Sequence, residues 1–159
     1  MRSFKTILVP VDLGPSSKRI LAVAGEMAED IGSKVVVLHV VQPVPSIPLA
    51  AGQMSPGVTD GFNVPMYQKT VEEKARESLQ EMVRGLVPRE NLASINVMTG
   101  SVGSSILSEC ESGSYDLVIV DSGEDDDIAV KLFGTVADKV VKNAPVPVLV
   151  LRSGNKENA

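Results

Sequence analysis

"KTILVPVDLGPSSKRILAVAGEMAEDIGSKVVVLHV", residues 5–40, decides the fold. Its opening, "KTILVPVD", is a short continuous apolar run, the pattern of a strand buried on both faces. Ile20, Val23, Ala24, Met27 and Ile31 then recur at helical spacing, with Ser16 or Ser17 able to cap the start and Gly32 able to end it. "KVVVLHV", residues 34–40, is a second buried strand. Strand, helix and strand at this spacing form a βαβ unit, so the two strands should run parallel with a right-handed crossover.

The same alternation continues after an interruption. Residues 42–66 hold Pro43, Pro45, Pro48, Pro56 and Pro65 among Gly52, Gly57 and Gly61, and no period survives there. A loop of this length is uncommon and usually functional or mobile; Met54, Phe62 and Met66 suggest that it packs partly over the domain. From Tyr67 the helical period returns, with Val71, Ala75, Leu79, Met82, Val83 and Leu86 on one face and Glu72, Glu73, Lys74, Arg76 and Glu77 on a solvated one. "ASINVMTG" reads as a third strand, and "SVGSSILSECESG" as a shorter helix with Ile106, Leu107 and Cys110 inward. "YDLVIVD" is a fourth strand buried on both faces, "GTVADKVVKNA" a last helix, and "PVPVLVLR" a fifth strand.

This order predicts an α/β protein: one doubly wound, five-stranded, mainly parallel sheet in the order 3-2-1-4-5, with helices on both faces. The domain should occupy residues 1–152, leaving 153–159 as a flexible tail. Pro145 and Pro147 push the last strand to a sheet edge, because proline lacks the ladder donor. An apolar edge is a liability unless paired, so a homodimer through residues 146–151 is expected.

Composition narrows the function. The 159 residues are enough for one domain with a real core. A net charge of −5 and an aromatic content of 3% argue against nucleic-acid binding, which favours basic surfaces and stacking platforms. No apolar run is long enough for membrane insertion. The single cysteine, Cys110, cannot form an internal disulfide and fits a reducing, cytoplasmic setting. It reads as a small core residue, and the single histidine, His39, excludes sites needing several His ligands. Ser16-Ser17 and Ser104-Ser105 have no local base, so no catalytic residues are assigned.

In an open α/β sheet, ligands bind beyond the carboxyl ends of the strands where the strand order reverses. For this order the reversal lies between the first and fourth strands. Two loops then face the crevice: "PVDLGPSS", with Pro10, Asp12 and Gly14, and "DSGEDDDIAVKLFGT", residues 121–135. The second carries Glu124, Asp125, Asp126 and Asp127 in a row, and its Gly134-Thr135 reads as a helix start with Thr135 as a good N-cap. The acidic run lacks the alternating spacing of a calcium loop, so no metal site is assigned.

Taken together, "KTILVPVD", "VVVLHV", "GSVGSSIL", "YDLVIVDS" and "LFGTVADKVVKNAPVPVLVLR" resemble the universal stress protein family over nearly the whole chain. The last block is the most specific. The resemblance implies an adenine nucleotide alpha hydrolase-like fold and a non-catalytic, stress-response regulatory protein acting through an unidentified protein partner. ATP-binding members of the family carry Gly, two residues, Gly, nine residues, then Gly and Ser/Thr. Here that spacing falls on Asp121, Glu124, Gly134 and Thr135, so the end of the motif matches and its first two glycines do not. Asp12 matches the family's acidic residue after the first strand, Pro10 stands just before it, and Val40 matches the position that contacts adenine.

Glycines in such loops reach left-handed conformations and let backbone N–H groups approach phosphate oxygens. Carboxylates in their place repel a phosphate by about 1 kcal/mol per charge pair in water, and about 4 at intermediate dielectric. One helix N-terminus offsets only about 0.3 to 2 kcal/mol. The sequence therefore predicts a degenerate site without tight ATP binding and without a resident cofactor. The alternative is an ATP- or AMP-binding member, with magnesium screening the acids, that works as a switch or a slow ATPase. An adenylating enzyme would need a Ser-Gly-Gly-x-Asp-Ser type loop after the first strand, which "VDLGPSS" does not supply. A phosphoacceptor receiver would need an Asp after the third strand and a Lys after the fifth, and neither is present.

Overall fold

Ile7, Leu8 and Val9 are completely buried, so the first strand has no face left for water. The computed structural model describes residues 3–43, 64–123 and 131–152. Its strands are β1 (Thr6–Pro10), β2 (Lys34–Val41), β3 (Leu92–Thr99), β4 (Leu117–Asp121) and β5 (Val148–Leu151). All pairings are parallel, and the order is β3-β2-β1-β4-β5, as the sequence pattern predicts. The helices are α1 (Pro15–Ile31), α2 (Val64–Val83), α3 (Val102–Ser112) and α4 (Lys131–Asn143).

Alternation along the buried strands splits the core in two. Ile7, Val9, Val35, Val37, Leu117 and Ile119 face α1 and α2, where they meet Ile20, Leu21, Leu79 and Val83. Leu8, Val36, Leu38, Val40, Val118 and Val120 face α3 and α4, where they meet Ile106, Cys110, Ala137 and Val140. Two buried or half-buried polar groups fix the start of the sheet. The Asn91 amide donates to the carbonyls of Ala28 at 3.0 Å and Ser33 at 2.9 Å. The Asp116 carboxylate accepts the backbone N–H groups of Lys5 at 2.9 Å and Thr6 at 3.0 Å.

Several details differ from the sequence reading. The buried face of α1 is Ser17, Ile20, Leu21, Ala24, Gly25 and Ala28, whereas Val23 and Met27 are half-buried and Ile31 is 51% exposed. Neither Ser16 nor Ser17 caps this helix; Gly14 takes the N-cap position ahead of Pro15, without a side-chain bond. Gly32 does close it, with φ of 71° and its N–H bonded to the Ala28 carbonyl. α2 begins at Val64, before Tyr67, and Met66 is exposed in its first turn instead of packing on the domain; Met54 and Phe62 lie outside the described residues. Leu86 lies in the turn beyond α2, and Leu107 is only half-buried. β5 lies at the edge as expected, but it starts after Pro145 and Pro147 because the ladder begins only where N–H donors resume.

Gly25 explains why the α1 face is rotated. The turn after α2 lies directly on this helix, and a Cβ at position 25 would come within 2.1 Å of the Leu86 carbonyl oxygen. An apolar periodicity gives no weight to a glycine, so this contact was invisible to it. Gly25→Ala should retain the fold and lower the unfolding free energy by about 1–3 kcal/mol, the usual cost of overpacking. A urea midpoint equal to that of the unaltered chain would contradict the contact.

Candidate functional site

Where β1 ends, the chain is pinned to β2 before it turns away. The Val11 N–H donates to the Leu38 carbonyl at 2.8 Å, and His39 Nδ1 donates to the Val11 carbonyl at 2.8 Å. The sequence gives His39 no visible partner; the fold gives it this one. Leu13 then adopts φ of 70°, the only non-glycine residue among those described with positive φ. Such a conformation costs about 1–2 kcal/mol and persists where neighbours hold it.

Asp12 is one of those neighbours. Its Oδ1 accepts the Ser17 hydroxyl at 2.7 Å and the Gly14 N–H at 2.8 Å, while its own N–H donates to Ser17 Oγ at 3.1 Å. Ser17 is 2% exposed, so a buried hydroxyl sets the position of an exposed carboxylate. The two bonds to Oδ1 leave Oδ2 without a partner among the described residues.

A cavity of about 810 Å³ opens at this point, on the α3/α4 side of the sheet. Pro10, Asp12, Val40 and Thr135 all line it, so four of the residues singled out from sequence come together. Among the described residues, Asp121 does not join them there. Asp121 is 8% exposed at the end of β4 and is not on the cavity wall; its Oδ1 accepts the Gly123 N–H at 3.2 Å. Beside it the Ser122 hydroxyl is buried without a hydrogen-bond partner among the described residues. Glu124 lies outside the described residues, and Gly134 is part of the α4 backbone.

Thr135 is not an N-cap. α4 starts at Lys131, one turn earlier, because Lys131, Leu132 and Phe133 contain nothing to break a helix. Thr135 is therefore an exposed side chain within the helix that lines the cavity. Two contributors escaped the sequence reading. Lys139, one turn after Thr135, lines the same cavity and donates from Nζ to the Ser104 hydroxyl at 2.9 Å. Gly123 has φ of 70°, so the loop does hold a left-handed glycine, one position before the expected site at 124. Helical spacing from Thr135 would have found the first; nothing short of the backbone angle marks the second.

A second hollow, of about 760 Å³, lies between α1 and the turn after α2, with Glu26, Glu29, Arg84 and Arg89 on its walls. It is away from the strand-order reversal and contains no residue that the motif comparison selects. Among the described residues no three His, Cys, Asp or Glu side chains cluster as metal ligands, and no helix is long and apolar enough to cross a membrane.

Comparison with known proteins bears on the family and the fold. A family profile described as the Universal stress protein family matches residues 3–152. The universal stress protein in the QAH/OAS sulfhydrylase 3′ region of Thermus aquaticus is 27% identical over 149 residues, covering 94% of this chain and 99% of that protein. Universal stress protein G of Escherichia coli O157:H7 is 28% identical over 152 residues, covering 94% and 99%. Among solved structures, hypothetical protein MJ0577 has a TM-score of 0.73 at 18% identity, covering 98% of this chain and 100% of the other. A universal stress protein in complex with cAMP has a TM-score of 0.59 at 18% identity, over 96% and 100%. One from Archaeoglobus fulgidus in complex with dAMP has a TM-score of 0.53 at 18% identity, over 94% and 98%. At such identities these likenesses concern the fold.

Cys110 offers no nucleophile. It is 3% exposed, and burial first, then Glu109 and Glu111, push its thiol up to about 11. Burial and the bond to Glu109, where the Tyr115 hydroxyl donates to Oε1 at 2.6 Å, likewise raise the Tyr115 phenol well above its ordinary value. Both groups therefore stay protonated at neutral pH. A thiol reagent at pH 8 should label Cys110 slowly in the native chain and fully in urea, where the thiol returns to about 8.5. Fast native labelling would refute the buried, neutral thiol.

Proposed function

The chain belongs to the universal stress protein family, and we propose that it is a non-catalytic, cytoplasmic regulatory protein. It would act as a homodimer on a protein partner, without holding ATP tightly. The observation that carries this reading is the Asp121 carboxylate at the end of β4, bonded to the Gly123 N–H. A phosphate-cradling loop needs its backbone donors free for the ligand. Here one such donor is already taken by an anion, at a position where nucleotide-binding members have glycine.

The other half of the crevice supports a residual adenosine site. Pro10, Asp12 and Val40 surround a cavity of about 810 Å³, and pockets for small ligands commonly span about 300–1,000 Å³. An exposed, fixed carboxylate such as Asp12 can accept hydrogen bonds from hydroxyl or amino groups. This cavity also favours the second reading, a switch or slow ATPase that binds ATP or AMP with magnesium, since solved relatives are complexes with cAMP and dAMP. The bonds around Asp121 weigh toward the first.

For the dimer the support is the edge position of β5, whose Val150 is 36% exposed. Pairing with a second copy through residues 146–151 would give partners to the backbone groups on its outer side.

Calorimetry should find no micromolar binding of ATP, with or without Mg²⁺; micromolar affinity would overturn this reading. Asp121→Gly combined with Glu124→Gly should raise ATP affinity by about tenfold or more, as removal of two repulsive charges implies. Light scattering should give twice the chain mass at micromolar concentration, and a monomer there would exclude pairing through β5.

A further inference from the structure

We propose that Arg76 is an edge guard: its guanidinium closes β3 to strand addition by a second copy of this chain. The sheet ends in β3 on one side and β5 on the other, and an open edge is a template for further pairing. β5 has a use in the proposed homodimer. β3, with eight residues against four, carries the longer row of backbone groups and has no such use.

The outward groups of β3 follow from the alternation along a strand. The Gly100 N–H donates to the Val41 carbonyl at 2.9 Å, so residue 100 faces β2. Ser94, Asn96 and Met98 then face β2 as well, and Ile95 and Val97 direct their N–H and C=O groups away from the sheet. Ile95 lies at the middle of the strand, and Arg76 Nη1 donates to its carbonyl at 2.9 Å. An added strand would run about 4.8 Å away, in the space this guanidinium occupies. Strand addition must therefore break a charge-assisted bond and displace the cation.

Arg76 belongs to a stripe. Gln68, Glu72 and Arg76 stand four residues apart on one side of α2. At the end of β3 the Thr99 hydroxyl donates to Glu72 Oε1 at 2.6 Å and accepts from Gln68 Nε2 at 3.3 Å. Part of the helix face expected to be solvated is thus laid along the edge strand. β5 is treated differently. Its Leu151 carbonyl accepts the Ser122 N–H at 2.8 Å, so the carbonyls of Val148, Val150 and Arg152 face outward. Arg19 of α1 donates to the last of these, beyond the end of the strand. Within β5, among the described residues, no side chain bonds Val148 or Val150. One edge is blocked at its centre and the other only past its end.

A chain with two open edges can join copies without closing the assembly. In a dimer paired through β5, both outer edges of the joined sheet would be β3, so the guard would limit association to two copies. That limit rests on the β5 reading; the closure of β3 does not.

The test is sedimentation of the full chain and its variants. Arg76→Ala places a strong helix former on α2, so the circular dichroism should match the unaltered chain. Its self-association should strengthen about tenfold or more, as loss of one charge-assisted bond implies, giving heavier species at equal concentration. Arg76→Gln, shorter and uncharged, should do the same, while Arg76→Lys should keep most of the guard. Lys74→Ala removes the same charge from an exposed position two residues away and should change nothing. In the heavier species, amide exchange should slow at Ile95 and Val97. Equal masses for Arg76→Ala and Lys74→Ala, or heavier species without that slowing, would overturn the guard. A monomeric unaltered chain would sink the β5 dimer and the limit of two copies, while the gain from Arg76→Ala would still decide the closure of β3.

Discussion

A strand with no solvent-facing side must have a helix layer on each face, and β1 is such a strand. Each fully buried Ile or Leu contributes about 1.5–3 kcal/mol, so Ile7 and Leu8, on opposite faces, draw α1 and α3/α4 to opposite sides. The parallel pairing of β1 with both β2 and β4 then fixes the rest. The chain leaves β1 toward one side for two strands and returns to the other for two. One connection leaves the end of β1 and another the end of β4, and the space between them is the crevice. The cavity is thus a consequence of core packing, and its presence alone says nothing about which ligand occupies it.

What does discriminate is how the charged groups near it are held. Asp12 is oriented by a buried hydroxyl, and one oxygen is left unpartnered among the described residues. Asp121 turns back on its own loop and occupies the Gly123 N–H. Lys139 is spread over a glycine and anchored by a neutral serine. A carboxylate that satisfies the donors of its own loop has a complete local explanation, because Asp commonly bonds the backbone two residues onward in this way. Lys139 also has a local explanation, since its stem packs on Gly103 and its ammonium donates to Ser104.

The sheet order was legible because it depends on a coarse signal: continuous apolar runs of strand length, separated by helical periods. The location of the crevice, with Pro10 and Asp12 on it, followed from that order alone, and the place of Val40 followed from the family resemblance. The misreadings share a physical origin. The face of α1 is set by Gly25 and two alanines, residues whose role is to be small, and a hydrophobic period cannot weigh smallness. The starts of α2 and α4 fall before the strongest start signals, since a helix extends back through any residues that do not oppose it. Lys139 was missed because its place on the cavity wall comes with a bond between α4 and α3, segments more than thirty residues apart. Glu124, by contrast, lies outside the described residues, so its part in the motif stands on sequence alone.

The two halves of the crevice are held by separate sets of bonds, and this separation allows one half to lose its ligand without the other. On the β1/β2 side, Val11 bonds Leu38, His39 bonds Val11, and Asp12 bonds Ser17 and Gly14. On the β4 side, Ser122 bonds Leu151 and Gly123 bonds Asp121. No bond in either set uses a partner from the other. Changes at sites that share no partner act nearly independently on stability and on binding. An acidic substitution in the loop after β4 can therefore abolish the approach to a triphosphate while the Asp12 turn keeps its shape. The proposed reading, a crevice that keeps its β1/β2 side while the loop after β4 no longer admits a triphosphate, is therefore consistent with this separation of bonds.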